Sequence, residues 1–202
     1  MDPHGIIDYE LPGVPDAFQR LWNPHRAAYQ SRGQDQVTGE GNCPFCLAPE
    51  RTDAESLIVH RGQRCFVLLN LYPYNPGHLL VCPYRHVPDL TDLDAEESAE
   101  FMAMTQQAMR VLREVAKPSG VNLGINQGKV GGAGIAAHLH QHLVPRWGGD
   151  TNFMPIIAQT KNLSVTLGET QQLLAEAWQR LDGQGPAEQP GEPPHAPPGA
   201  QS

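Results

Sequence analysis

Three histidines at alternate positions are the feature that most restricts how this chain can fold. The run His138-Leu139-His140-Gln141-His142-Leu143-Val144 sets each imidazole apart by one residue. Side chains on a β-strand alternate between the two faces of the sheet, so this period of two predicts a strand with all three imidazoles on one face. Such a row is costly to bury without partners. The pattern therefore favours a catalytic nucleotide site or a metal site, since imidazole is also a common zinc ligand.

The sequence around the histidines predicts an α+β domain. A short connection dense in turn residues, Tyr72–Gly77, indicates an antiparallel pair of strands on either side of it. A long apolar stripe at helical spacing, which should end before Pro118, predicts one long helix. The predicted strands are Leu57–His60, Cys65–Leu71, His78–Pro83, Val121–Asn126 and His138–Pro145, and the predicted helices are Leu93–Lys117 and Leu167–Leu181.

Composition divides the chain into three parts. Residues 1–42 form an expected N-terminal extension, with short helices interrupted at Pro24. Residues 43–182 contain the periodic segments and form the predicted domain. Residues 183–202 are rich in proline and glycine and have almost nothing apolar to bury, which predicts a disordered tail.

The charge of the chain argues against several classes of partner. The formal net charge is −8 at pH 7, which opposes nonspecific attraction to nucleic acids or anionic membranes. No apolar stretch approaches the roughly 20 residues that a membrane span needs. The first residues lack the pattern of a secretory signal, so we expect a cytoplasmic protein that binds neither nucleic acid nor membrane.

The turn Cys43-Pro44-Phe45-Cys46 holds two of the four cysteines. In a cytosolic chain such a pair is more naturally metal-binding or redox-active than a structural disulfide. The strand and helix that flank a thioredoxin-type pair are not evident here, which disfavours the redox alternative. Zinc would require two further nitrogen or sulfur ligands. Cys65 and Cys82 lie in apolar runs and are either core residues or part of that metal site.

The motifs together resemble the histidine triad (HIT) superfamily. The run His138–Val144 is similar to the family's histidine-x-histidine-x-histidine motif, and the segment Cys65–Asp89 is similar to the hairpin that precedes it, with its Pro-Gly-His and its Arg-His. The resemblance extends over Cys43 to Trp147. It implies a five-stranded antiparallel sheet with a long helix packed on one face, and a chain that is commonly a homodimer.

The resemblance also implies a role for each histidine of the triad. The middle histidine of the family is the nucleophile, which corresponds to His140, and His142 would contact phosphate oxygens or protonate the leaving group. Gln141 departs from the apolar residue that the family prefers, but it faces away from the histidines. Many relatives hold structural zinc with two cysteines and two histidines, which correspond to Cys43, Cys46, His86 and His138. We expect no organic cofactor.

The predicted substrate contacts lie on one strand and one loop. By resemblance Asn70 would contact ribose hydroxyls, or else cap a turn, and Leu68 and Leu69 would help to wall the base pocket. The glycine-rich loop that precedes the triad can bring backbone N–H groups close to phosphate, or is only a flexible connection. Gly134 replaces a glutamine or serine that often contacts phosphate. Trp147 stacks on a base or belongs to the core. The loop residues singled out are Asn126, Lys129, Gly132 and Gly134.

The expected substrate is a dinucleoside polyphosphate. The CPFC turn, the NQGKVGGAGI loop and the HLHQHLVPRWGGDTNFMP segment resemble the actinobacterial branch of the family that includes diadenosine tetraphosphate phosphorylase. Inorganic phosphate would then release ADP from the nucleotidyl-histidine, whereas water would release AMP. A hydrolase, a nucleoside phosphoramidase and a noncatalytic nucleotide-binding protein remain as alternatives. A zinc-ribbon nucleic-acid module is disfavoured by the acidic charge and by the lack of a second CxxC.

Overall fold

A five-stranded antiparallel sheet forms the centre of the molecule, as seen in a computed structural model that describes residues 39–150 and 165–182. The strands lie in the order β1-β2-β3-β5-β4, and all neighbouring pairs are antiparallel. The predicted α+β fold is confirmed. The predicted N-terminal extension and proline-rich tail lie outside the described residues, apart from the last few residues of the extension. The strands are β1 Ile58–Arg61, β2 Cys65–Leu69, β3 Leu79–Pro83, β4 Gly120–Ile125 and β5 Gln141–Arg146.

The long helix covers one face of this sheet. It spans Ala95–Val115 and begins at a capping box in which Asp94 accepts the Glu97 backbone N–H and the Glu97 carboxylate accepts the Asp94 N–H. Phe101, Ala108 and Leu112 are buried on its sheet-facing side. In the described segments no helix has the length and apolar character that a bilayer crossing requires. The helices are α1 Pro44–Leu47, α2 Asp53–Ser56, α3 Ala95–Val115 and α4 Leu167–Asp182, with 3₁₀ turns at Glu40–Asn42, Ala48–Glu50 and Leu90–Asp92.

The opposite face of the sheet is covered by the segment that contains the cysteine turn. Phe45 and Ala48 from this segment pack against Phe66 and Leu80 of the sheet. This second apolar cluster is smaller than the one between the sheet and α3. The cysteine turn therefore lies on the face of the sheet opposite the long helix, here called the open face.

The two cysteines predicted as core candidates are fully buried in the sheet. Cys65 and Cys82 have no exposed surface, and each is a free thiol. Burial raises the pKa of the Cys65 thiol to about 12. These thiols stay protonated at neutral pH, and the core interpretation is confirmed for both.

The start of the last strand differs from its prediction. The strand predicted over His138–Pro145 begins at Gln141, so only His142 of the three histidines lies in it. The preceding residues do not continue the ladder, because the Leu139 N–H donates to the Val87 carbonyl at 2.6 Å. The observed strand is therefore shorter than predicted and its alternation does not extend to His138 and His140, although the His140 and His142 rings still lie 5.0 Å apart.

Gln141 carries a polar side chain into the interface between the sheet and α3. Its Oε1 lies 2.6 Å from the Thr105 hydroxyl, which shares its one proton between this oxygen and the Phe101 carbonyl at 2.8 Å. Gln141 and Thr105 are both buried. The structure thus places Gln141 on the face away from the His142 side chain, as predicted. A buried amide without a partner would cost free energy, so Thr105 compensates for the departure from an apolar residue.

Removal of the Thr105 hydroxyl should destabilise the fold. We expect Thr105→Val to lower the free energy of unfolding by about 1–3 kcal/mol, because it leaves the buried Gln141 amide oxygen without its donor. Urea denaturation measures this change. The double variant with Gln141→Leu should recover most of the loss, since both polar groups are then gone. Equal losses in the single and double variants would contradict this account.

Candidate functional site

A cluster of two cysteines and two histidines lies at one end of the open face. The Nδ1 of His138 is 3.4 Å from the Sγ of both Cys43 and Cys46, and the Nδ1 of His86 is 3.2 Å from the Cys46 Sγ. All four ligand-type atoms lie within 4.8 Å of one another. Two thiols and two imidazole nitrogens at such distances form the donor set of a tetrahedral zinc site.

The second ring nitrogen of His138 is also engaged. Its Nε2 lies 2.9 Å from the Pro83 carbonyl oxygen, which can only accept, so Nε2 carries the proton and Nδ1 presents a lone pair to the cluster. Burial lowers the pKa of His138 to about 4, which keeps the imidazole neutral. A backbone acceptor behind a histidine ligand is the usual arrangement around protein-bound metals. The residues present therefore fit a zinc ion.

His140 is oriented by the residue two positions before it. Its Nδ1 donates to the His138 carbonyl oxygen at 2.8 Å, which leaves the lone pair on Nε2. The ring is 5% exposed and packs on Phe45 at a centroid distance of 4.9 Å. Burial lowers the pKa of His140, so the neutral form dominates. An unprotonated Nε2 at the wall of a cleft can act as a nucleophile.

His142 belongs to a separate chain of hydrogen bonds. The Tyr74 backbone N–H donates to the Nδ1 of the buried His78 at 3.1 Å, so His78 carries its proton on Nε2. That Nε2 lies 3.0 Å from the Nδ1 of His142 and donates to it. With its Nδ1 accepting this bond, His142 holds its proton on Nε2. The two histidines thus have opposite tautomers, with an acceptor nitrogen free on His140 and a donor on His142.

A largely apolar cleft of about 780 Å³ opens beside these two histidines. Phe45 of the cysteine turn and the adjacent Leu47 and Ala48 line it on one side, and Leu68 and Leu80 line it from the sheet. A pocket of this size and character, with a few polar groups at one end, is typical of a small-molecule site.

Most of the predicted substrate contacts border the same cleft. Asn70, Asn126, Gly132 and Gly134 all line it, together with Leu68 and Leu69. Asn70 also accepts the Tyr72 N–H at 3.0 Å, so it caps a turn as well. Gly132 has a φ of 85°, a conformation that glycine adopts without strain.

Two predicted contacts lie elsewhere. Lys129 is in the glycine-rich loop but does not line the cleft. Trp147 follows β5 and is also outside the cleft, because its indole N–H donates to the Ala116 carbonyl at the end of α3, at 3.3 Å. The role of Trp147 as a base contact stays a prediction, and its indole bond to Ala116 is a structural contact of this side chain.

Three residues of the site were not singled out from the sequence. His78 and Tyr74 fix the tautomer of His142, and Phe45 contacts the rings of both His138 and His140. The Pro-Gly-His signal pointed to His78 only as part of a motif. The Tyr74 donor is a backbone N–H, a group that every residue except proline has, so the sequence gives no sign of it.

The fold and site together define a histidine-based cleft protein with a Cys/His cluster of zinc-ligand type. Comparison with known proteins agrees with this class. The family model described as HIT domain matches residues 51–149. A protein named AP-4-A phosphorylase from Mycobacterium tuberculosis strain H37Rv is 45% identical over 183 residues, which cover 89% of this chain and 93% of that protein. The chain therefore belongs to the histidine triad family.

Two further relatives extend the comparison. A bis(5'-adenosyl)-triphosphatase from Dictyostelium discoideum is 37% identical over 46% of this chain and 61% of that protein. The crystal structure of a zinc-bound histidine triad family protein from Mycobacterium smegmatis superposes with a TM-score of 0.58 and is 30% identical. That superposition covers 72% of this chain and 99% of the other.

The hydrogen-bond geometry predicts a defined tautomer for each histidine of the cleft. Long-range ¹H–¹⁵N NMR correlations should find the proton of His140 on Nδ1 and the protons of His142 and His78 on Nε2. In His78→Leu the ring of His142 loses its donor, so its two tautomers should mix while His140 is unchanged. His60, which stacks on Trp178 at 4.5 Å, serves as an internal reference. A proton on Nδ1 of His142 in the unaltered protein would contradict the assignment.

Proposed function

We propose that this protein cleaves dinucleoside polyphosphates through a nucleotidyl-His140 intermediate, with inorganic phosphate as the second acceptor. The observation that carries this proposal is the bond from His140 Nδ1 to the His138 carbonyl. It leaves an unprotonated Nε2 beside a cleft large enough for a nucleoside. A buried neutral imidazole held in one tautomer is a prepared nucleophile.

In the first step the nucleoside half occupies the apolar cleft. The His140 Nε2 attacks the α-phosphorus, a P–N bond forms, and the bond from that phosphorus to its bridging oxygen breaks. The N–H at His142 Nε2 is placed to stabilise the departing oxygen by a hydrogen bond, because His78 holds the other nitrogen of the ring. With diadenosine tetraphosphate the products are ATP and adenylyl-His140.

In the second step an oxygen of inorganic phosphate attacks the same phosphorus. The P–N bond breaks, ADP leaves, and His140 regains its lone pair on Nε2. The relative named AP-4-A phosphorylase, 45% identical over nearly the whole chain, supports phosphate as the acceptor. Asn70, Asn126, Gly132 and Gly134 are proposed substrate contacts, since each lines the cleft.

A hydrolase is the second candidate function. The relative named bis(5'-adenosyl)-triphosphatase is 37% identical to a central part of this chain. Both reactions share the adenylyl-His140 intermediate and differ only in the acceptor. If water attacks, the product is AMP rather than ADP.

We also propose a structural zinc ion held by Cys43, Cys46, His86 and His138. The clustering of their four ligand atoms supports this assignment. When bound, zinc would join the cysteine turn to the triad segment without taking part in the chemistry. The zinc-bound family member from M. smegmatis is consistent with a metal in this family.

We infer a homodimer and a reducing compartment such as the cytoplasm. β4 is an edge strand of the sheet, and its Leu123 is 44% exposed, which supports pairing with a second copy. All four cysteines are free thiols, as expected where thiols stay reduced.

Diadenosine tetraphosphate with and without inorganic phosphate tests the proposed reaction. We expect ADP and ATP in equal amounts with phosphate and little turnover without it. His140→Ala should lower turnover by at least about 10³-fold, as removal of a covalent nucleophile does. His60→Gln, a histidine outside the cleft, should retain activity.

The same assay separates the alternatives. AMP and ATP formed regardless of phosphate would replace the phosphorylase by the hydrolase. Full activity in folded His140→Ala would remove the nucleophile assignment. Circular dichroism and thermal unfolding of each variant report whether the fold is intact.

Elemental analysis tests the zinc proposal. We expect roughly one zinc ion per chain in the purified protein, lost in Cys43→Ser and in Cys46→Ser. Both variants should also unfold at a lower temperature, because the cysteine turn is then held only by its apolar contacts. Cys65→Ala, which removes a thiol outside the cluster, should keep its zinc. A folded, metal-free protein with native stability would refute the assignment.

A further inference from the structure

A second cleft meets the first at His142. It has a volume of about 360 Å³ and runs along β4 and β5. Tyr74, Asn126 and His142 border both clefts. The second cleft, here called the polar groove, is lined by three side-chain amides and the Arg146 guanidinium together with the apolar Leu123 and Val144. It is the more polar of the two clefts, which meet at the proposed reaction centre.

Strand alternation creates this groove. On β5, His142, Val144 and Arg146 share one face, because alternate residues point the same way. On β4, Asn122 and Gly124 pair with Val144 and His142 and lie on that face too. Gly124 offers no side chain next to His142, so the groove stays open there. Arg146 lies about 13 Å along the strand from His142.

The groove offers hydrogen-bond donors to an anion. Arg146 uses Nε and Nη2 on the two oxygens of Asp150, at 2.6 and 3.0 Å, and Nη1 on the Asn122 Oδ1 at 2.8 Å. Of its five N–H groups, two thus have no protein acceptor among the residues that the structure describes. Because the Asn122 Oδ1 accepts the bond from Arg146, the NH₂ group of this side chain is the end of the amide that can donate to an anion. Together with the Nε2–H of His142, these donors suit phosphoryl oxygens.

The carboxylate beside Arg146 does not close the groove to anions. Asp150 accepts from Arg146, from the Asn75 amide at 2.8 Å and from the Trp147 N–H at 3.2 Å. These bonds, Arg146 first, hold the pKa of Asp150 well below its usual range. Asp150 therefore stays ionised, offsets the charge of Arg146 and fixes Arg146 and the turn that carries Asn75, so an anion in the groove is held by directed hydrogen bonds. The guanidinium is consequently held in place before any ligand arrives.

We propose that the polar groove is the subsite for the phosphate groups that leave and then enter the proposed reaction. This inference rests on the proposed function. Both displacements at the α-phosphorus are in line with the His140 nitrogen, so the departing polyphosphate and the attacking phosphate occupy the same position in turn. The apolar cleft retains the nucleoside throughout. The groove is a second open space that adjoins His142.

The polar groove holds phosphate groups during both displacements. The terminal phosphates of the leaving ATP occupy it while the bridging oxygen departs from the α-phosphorus. Inorganic phosphate then enters, one of its oxygens forms a bond to that phosphorus, and the electron pair of the P–N bond returns to His140. Arg146 and Asn122 bind the anions and take no part in bond making.

Binding and kinetic measurements on the full chain test the subsite. Tripolyphosphate is the binding probe, followed by isothermal titration calorimetry, and adenosine is the probe for the apolar cleft. We expect Arg146→Gln to weaken tripolyphosphate binding and to raise the KM for phosphate by about tenfold or more, as loss of a charged donor does. Asn122→Ala, an exposed residue, should act in the same direction by about threefold. Adenosine binding should be unchanged in both.

Arg180→Gln is the matched control. Arg180 is also exposed and paired with a carboxylate, that of Glu114 at 2.9 Å, but it lies on α4 away from the cleft. It should behave as the unaltered protein. Unchanged tripolyphosphate affinity in both Arg146→Gln and Asn122→Ala would overturn the subsite, whatever the reaction proves to be. If the unaltered protein makes no ADP from phosphate, the acceptor assignment fails instead, and tripolyphosphate binding alone then decides the groove.

Discussion

One hydrogen bond connects the two halves of the site, the bond from the His140 ring to the His138 carbonyl. His138 contributes its side chain to the Cys/His cluster and its backbone to the orientation of His140. Whatever holds the His138 ring therefore also holds the lone pair of His140 in one direction. Residues 138–140 precede the strand, so contacts outside the sheet ladder fix them: this bond, the cluster, and the bonds to the Val87 and Pro83 carbonyls.

A second set of hydrogen bonds orients His142 independently. It begins at the Tyr74 backbone, passes through the His78 ring and ends at His142. The turn that carries Tyr74 is itself tied to the end of β5, since the Asn75 amide donates to both Pro145 and Asp150. Adjacent histidines of one motif are thus set by different parts of the fold. This separation is what allows them to present opposite tautomers towards one cleft.

The sequence predicted the fold well because its signals are periodic. The short apolar run around Cys65–Leu69, bounded by turn residues, indicated a strand, and the apolar stripe of α3 indicated a helix. The short connection Tyr72–Gly77 indicated the antiparallel pairing of β2 with β3. The Cys/His cluster and four of the six substrate contacts also lie where the motifs indicated. The start of β5 was mispredicted because a backbone acceptor, the Val87 carbonyl, takes the Leu139 N–H. Residue types alone do not encode such acceptors.

Phe45 belongs both to the cysteine turn and to the wall of the apolar cleft. It lies between the two cysteines of the turn, contacts the His138 and His140 rings, and lines the apolar cleft. A change in the shape of that cleft at this wall would therefore also move a cysteine or a histidine. A substitution in the cysteine turn that alters base preference would therefore also disturb the proposed metal site. Leu57 and Leu71 also line the cleft but lie outside the cysteine turn, so base preference can vary there without a substitution in the turn.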